Sequence, residues 1–204
     1  MSGMTVAIVL AAGESTRMGS PKALLHDRDG RTFTARLVRT FAAAGVADIV
    51  VVTGSQHDAI VTAIASDKPP VHPTFLTNPN PARGQISSLW IALDAVRRPE
   101  LESMLVTPVD IPMIRPSTIQ RVIERWKETR AVIVRPVVGT RHGHPVLFDR
   151  AVFDELRRAP ITEGARAVVH AHASDVVNVP VDDEGCLVDV DTPGDYARLM
   201  ERAT

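Results

Sequence analysis

Cysteine is all but missing from the chain. Cys186 stands alone among 204 residues, which excludes an intramolecular disulfide and a cysteine-based zinc site and suits a reducing cytosol. Nothing beside it in sequence would lower a thiol pKa, so Cys186 reads as a small residue in the turn after Gly185. An excess of either charge is missing too. With 23 Lys and Arg against 24 Asp and Glu, the net charge of −1 argues against a non-specific nucleic-acid binder, which needs a broad basic surface. No apolar run approaches the roughly 20 residues needed to span a bilayer. The N-terminus has neither the charged start nor the small-residue cleavage site of a secretion signal, and its apolar run breaks at Gly13-Glu14. Repeats and low-complexity segments are absent as well. What remains is a globule that is 45% hydrophobic and 23% charged, too apolar for disorder. Its length suits one α/β domain over residues 1–204, expected in the cytoplasm with no membrane and no nucleic acid as partners.

The most informative stretch comes first. Val6-Ala7-Ile8-Val9-Leu10 is continuously apolar and β-branched, as a strand buried on both faces of a parallel sheet should be. Such strands point their carboxyl ends at ligands. Ala11, Ala12 and Gly13 then allow a bound group close to the backbone, and Gly13 and Gly19 can take positive φ without steric cost. Arg17 and Lys22 add a planar cationic fork and a mobile point charge, so the loop reads as a polyphosphate site. Two other phosphate loops are excluded. A Walker motif needs Gly-Lys-Ser/Thr in succession, but Ser20 and Pro21 separate Gly19 from Lys22. A dinucleotide fingerprint needs a second glycine where Ser15 stands.

Downstream, apolar strands alternate with amphipathic helices, which implies a parallel sheet covered on both sides. Thr32 is expected to cap a helix that Gly45 stops, residues 48–53 form a buried strand, and a helix over residues 56–65 ends before the stiff Lys68-Pro69-Pro70 connector. A short strand at 74–77 leads into Asn78-Pro79-Asn80-Pro81, a rigid loop that opens through Gly84 into a helix with Ser87 and Ser88 in its first turn. Those hydroxyls are expected to face outward; they suit either polar nucleotide recognition or simple capping. The next buried strand ends in Asp110 between Pro108 and Pro112, on the same rim as the first loop and suited to one magnesium ligand. Ser117 and Thr118 are expected to cap the helix that follows, with Trp126 in the core. Residues 131–138 and 146–148 form a hairpin around Arg141, His142, Gly143 and His144, where a metal pair of histidines lacks a third ligand. Arg166 is either an anion contact or a solvated helix residue. Asp191 is either the cap of the terminal helix or a ligand, and Asp189 is expected on the opposite face of an extended segment.

The string Leu10-Ala11-Ala12-Gly13-Glu14-Ser15-Thr16-Arg17-Met18-Gly19-Ser20-Pro21-Lys22 resembles the signature loop of the MobA-like NTP transferases. Its Ala-Ala-Gly form is most similar to the molybdenum cofactor cytidylyltransferase branch, whereas guanylyltransferases typically carry Ala-Gly-Gly. The resemblance covers residues 6–196. It implies a three-layer α/β/α sandwich with a Rossmann-like, mainly parallel sheet and a small antiparallel element, the nucleotide-diphospho-sugar transferase-like fold. It also implies a Mg2+-dependent transfer from an NTP, CTP favoured, to a phosphorylated acceptor such as molybdopterin, with a molybdoenzyme as a further partner. On this resemblance Lys22 and Arg17 are catalytic, and Leu10, Ala11, Ala12, Gly13, Ser15, Gly19, Gly84, Ser87 and Ser88 bind the nucleotide. Asp110 and Asp191 hold the metal, and Arg141, His142, Gly143 and His144 face the acceptor. The competing readings are a GTP-using, sugar-phosphate or methylerythritol-phosphate transferase of the same fold, and a non-catalytic nucleotide-binding partner of a molybdoenzyme.

Overall fold

A computed structural model describes residues 4–201. Strand β1 (Met4–Ala11) lies inside the sheet, and Val6, Ala7, Ile8 and Val9 are fully buried, as the apolar run requires. It pairs in parallel with β2 (Asp48–Thr53) on one side and β4 (Leu101–Pro108) on the other, while β3 (Thr74–Thr77) adds a parallel edge beyond β2. The other half of the sheet changes direction. There β7 (Val146–Asp149) runs antiparallel to both β4 and β5 (Ile133–Val138), and the two-residue β6 (Arg141–His142) pairs antiparallel with β5. The opposite edge of β5 carries β8 (Val176–Pro180) in parallel. The eight strands thus form one mixed sheet, with the antiparallel element where the hairpin was expected.

Two cores follow from the alternation of side chains along β1. Ala7 and Val9 face α1 (Phe33–Ala43), α2 (His57–Asp67) and α4 (Pro116–Thr129), where Phe33, Phe41, Ile60 and Trp126 are buried. Val6 and Ile8 face the layer of α3 (Gln85–Ala95), α5 (Phe153–Arg158) and α6 (Ala165–Ala171), through Leu89, Leu93, Leu156 and Val168. The terminal helix α7 (Pro193–Glu201) contributes Leu199 to the first core. Three layers result. Among the described residues, no helix is long and apolar enough to cross a membrane.

Local chemistry explains most element ends. The Thr32 side chain accepts from Ala35 N and starts α1, as its sequence position implies. Trp126 is a core residue, and its indole Nε1–H donates to Asp149 Oδ2 at 2.9 Å. One cap differs from expectation. Neither Ser117 nor Thr118 caps α4: Asp183, 65 residues after Thr118, accepts from Arg115 N at 2.9 Å and from Thr118 Oγ1 at 2.6 Å. A carboxylate from a distant turn thereby supplies the acceptor that a local residue was expected to provide. A 3-10 turn (Arg150–Val152) leads into α5, which starts at Phe153.

Candidate active site

The carboxyl ends of β1 and β4 open into a cleft of about 240 Å³. After β1 the chain makes a tight loop whose bend falls on Ser15 (φ 54°) and Gly19 (φ 72°). Gly13 does not use the freedom a glycine has to take positive φ, and a side chain there would meet open space. Ser15 also ties the loop together. Its carbonyl accepts from Met18 N and Gly19 N at 2.9 and 3.2 Å, and its Oγ accepts from Lys22 N at 3.0 Å. A glycine the sequence reading passed over shapes the other side. A Cβ on Gly54, just after β2, would sit 2.6 Å from the Ala12 carbonyl oxygen, so glycine is what lets the end of β2 lie against the loop.

Lys22 is 8% exposed at the centre of this cleft. Its Nζ donates to Asp110 Oδ2 at 3.0 Å and to Asp191 Oδ1 at 2.5 Å, while Arg17 Nη2 donates to Asp191 Oδ2 at 2.9 Å. Burial works to lower the Lys22 pKa, but the hydrogen bond and charge of Asp191 together with Asp110 outweigh it, and the ammonium is held above its ordinary value. The hydrogen bond from Lys22 in turn holds Asp191 below the usual carboxylate range. Asp191 reaches the cleft because Val190 N donates to the Asp110 carbonyl at 2.9 Å, which stitches the segment before α7 to the end of β4.

The capping of α7 falls to other residues. Thr192 Oγ1 accepts from Asp195 N at 3.2 Å, and Asp195 Oδ2 accepts from Thr192 N at 2.7 Å, a reciprocal cap that leaves the Asp191 carboxylate for the cleft. Asp189 corrects an expectation. Carboxylate oxygens of Asp110, Asp189 and Asp191 all lie within 4.8 Å of one another, so Asp189 is not on the opposite face. The alternation rule applies to an extended strand, and residues 188–192 leave a 3-10 turn without entering one. Although Asp189 is exposed as a residue, desolvation of its carboxyl and then the neighbouring charges of Asp110 and Asp191 push its pKa up to about 6. Three carboxylates share one buried ammonium here. That oxygen-rich, under-neutralised set has the donor chemistry a hard divalent cation requires.

The remaining nucleotide-site residues divide. Leu10, Ala12, Gly13, Ser15, Gly84 and Ser88 line the cleft, whereas Ala11, Gly19 and Ser87 do not. Ala11 is in the core, and Gly19 serves the loop's bend. Ser87 and Ser88 are buried rather than outward-facing, and buried Asn78 explains why: its Nδ2 donates to both hydroxyl oxygens at 2.9 Å. Ser87 gives its own proton to the Gly84 carbonyl at 2.7 Å.

A second cavity of about 580 Å³ adjoins the cleft, sharing Leu10, Gln85 and Pro108 with it. His142 and His144 line it. The other two residues of the expected acceptor segment do not. Arg141 is exposed and pairs with Glu184 at 2.6 Å, and Gly143 packs so tightly on Cys186 that a Cβ would lie 2.5 Å from its Sγ. A strand turn alternates its side chains, so four consecutive residues cannot all face one cavity. Burial keeps the His144 imidazole below its ordinary pKa. The same packing pushes the buried Cys186 thiol up to about 11, the behaviour of an inert residue. Arg135, Glu163, Arg166 and His170 complete the polar wall, and of these only Arg166 stands out in the sequence reading. Arg135 had a signal of its own, as an arginine inside the otherwise apolar run of β5.

A sheet whose strands deliver a cationic loop and clustered carboxylates to one rim, beside a second substrate-sized cavity, defines a nucleotidyltransferase. The chain belongs to the MobA-like NTP transferase domain family, whose pattern matches residues 7–176. It is 25% identical to the molybdenum cofactor cytidylyltransferase of Escherichia coli (strain K12), over 97% of this chain and 96% of that one. It is 29% identical to a probable molybdenum cofactor guanylyltransferase of Rhodopirellula baltica, over 92% and 88% of the two chains. The crystal structure of Rv0371c from Mycobacterium tuberculosis H37Rv superposes with a TM-score of 0.82 at 31% identity, covering 99% of this chain and 100% of that one. A structure of Rv0371c in complex with manganese covers 98% and 100%, with a TM-score of 0.77 and 30% identity.

Proposed function

We propose that this nucleotidyltransferase moves a cytidylyl group from CTP to the phosphate of a molybdopterin-type cofactor, with release of pyrophosphate. The observation that carries the reading is Lys22, buried between Asp110 and Asp191 in the cleft that adjoins the second cavity. An acceptor phosphate is already anionic at neutral pH, so its oxygen attacks the α-phosphorus without a general base while the bond to the β-phosphate oxygen breaks. Catalysis is then a matter of alignment and charge neutralisation.

Lys22 and Arg17 supply positive charge where the α-phosphate gathers negative charge. The loop after β1 and the start of α3 at Gln85 offer backbone N–H groups to the triphosphate and ribose. Asn78 donates to one lone pair of Ser88 Oγ and leaves the Ser88 hydroxyl proton free for the nucleotide. Asp110 and Asp191, with Asp189 beside them, would hold Mg2+, which neutralises phosphate charge when bound. His142 and His144 face the acceptor from the adjoining cavity. A molybdoenzyme receiving the product in the cytoplasm is the partner this reading implies.

The Ala11-Ala12-Gly13 form of the loop favours CTP, and the likeness to the Rhodopirellula protein makes GTP the competitor. Pyrophosphate release with each of the four NTPs, Mg2+ and a molybdopterin acceptor tests the proposal. CTP should give the highest kcat/KM. Faster release with GTP would move the chain to the guanylyl side, and no release with any NTP would overturn the transferase reading.

A further inference from the structure

The second cavity carries more positive charge than its neighbours use. Arg135 projects into it from the middle of β5 and Arg166 from α6. Arg135 donates Nε–H to Asn178 Oδ1 at 2.9 Å, and neither of its terminal nitrogens has an acceptor among the described residues. Arg166 forms no ion pair and no side-chain hydrogen bond among the described residues, and neither arginine pairs with Glu163, the one carboxylate on the same wall. Most other arginines in this molecule are engaged by carboxylates, at Asp27, Asp48, Asp67, Asp94 and Glu102 among them. Arg135 is half-buried, and desolvation draws its pKa below the ordinary value, so it is a cation kept partly from water without a counter-charge. A planar guanidinium held by one side and open on the other fits a tetrahedral or carboxylate anion.

We propose that Arg135 and Arg166 bind an anionic group of the acceptor, separate from the phosphate that attacks the nucleotide. The assignment of this group to the acceptor rests on the transferase reading above. On that reading the acceptor's phosphate lies toward Lys22, across the shared wall of Leu10, Gln85 and Pro108, and the second anion lies deeper, against β5 and α6. The acceptor class is thereby narrowed to molecules with two separated anionic groups. A neutral body between them would rest on the apolar floor of Ile86, Val146 and Phe148.

Inorganic phosphate is the probe, titrated into the full-length protein with and without saturating Mg2+ and CTP. Imidazole NMR signals of His142 and His170, which line the same cavity, report its arrival. A saturable shift is expected in the wild type and in Arg141→Gln, whose side chain lies outside the cavity. Binding should be about tenfold weaker in Arg135→Gln and in Arg166→Gln. Arg166 is exposed on its helix, so its variant tests the site even where a change at Arg135 disturbs β5. In the transfer reaction the same variants should raise the acceptor KM about tenfold while leaving kcat and the CTP KM near wild type. Equal phosphate affinity in the wild type and the Arg135→Gln Arg166→Gln double variant overturns the site, as does a wild-type titration that never saturates. Intact phosphate binding without pyrophosphate release for any acceptor supports the anion site while removing the transferase reading on which the acceptor's identity rests.

Discussion

The cleft at Lys22 takes much of its wall from consecutive residues of one loop, Ala12 to Arg17, and closes it with carboxylates from the ends of two other segments. The cavity beside it gathers its polar groups from more of the chain: Arg135 from β5, His142 from β6, His144 from the turn before β7, and Glu163, Arg166 and His170 from the stretch that leads into and along α6. The parallel half places backbone amides, short loops and charge where strands end, which is the arrangement a triphosphate requires. The antiparallel half offers side chains on a sheet face, an arrangement that can be changed one residue at a time. Reaction chemistry should therefore depend on the first region, and the identity of the acceptor on the second.

The largest effect expected from breaking this division is on Lys22. Replacing it by alanine removes the only buried cation between Asp110 and Asp191, and should lower kcat by about 30- to 1000-fold, or about 2 to 4 kcal/mol of barrier. Steady-state kinetics with CTP checks it. A wild-type kcat would remove Lys22 from the mechanism.

Next come the carboxylates. Asp110→Asn and Asp191→Asn should each raise the magnesium concentration for half-maximal activity by roughly tenfold, with little change in melting temperature, since Thr192 and Asp195 cap α7. Asp189→Asn should raise it too, by less, because that residue is the most exposed of the three. A magnesium titration of all three variants decides the matter; an unchanged requirement in Asp191→Asn would return that residue to a structural role.

Stability gives a sharper contrast. Gly54→Ala forces a methyl against the Ala12 carbonyl and should cost about 1 to 3 kcal/mol, measured by urea unfolding, with a raised nucleotide KM because the loop must move. The acceptor side has a weaker, pH-dependent signature. His144 is kept neutral by burial, so its folded pKa lies below the unfolded value of about 6.5. The unfolded chain then binds the proton first, and stability is full above about pH 6.5 and declines as pH falls below it. In His144→Gln the decline between pH 7 and pH 5 should be shallower; an identical slope would mean that His144 protonates freely in the folded protein.

The same two regions differ in how far they could be read from sequence. A contiguous loop carries its chemistry in order, so Arg17 and Lys22 stood out together, and Asp110 stood out between two prolines at the end of an apolar strand, as did β1 and the alternation that implies three layers. Asp189 was misplaced because an alternation rule was applied to residues that form no strand. Ser87 and Ser88 were taken as outward-facing because nothing local announces that Asn78 will bind both hydroxyls. The cap of α4 came from Asp183, which only the folded chain brings near. Arg135 escaped notice although its charge interrupts an apolar strand, since a single residue at one register position shows its use only once the neighbouring strands and α6 are in place.

Isotope transfer tests the central claim most directly. With α-labelled and γ-labelled CTP offered separately with Mg2+ and a molybdopterin acceptor, the α-label should pass to the acceptor and the γ-label should leave entirely as pyrophosphate. Label from the γ-phosphate on the acceptor, or α-label found only in free CMP, would contradict nucleotidyl transfer at the Lys22 cleft.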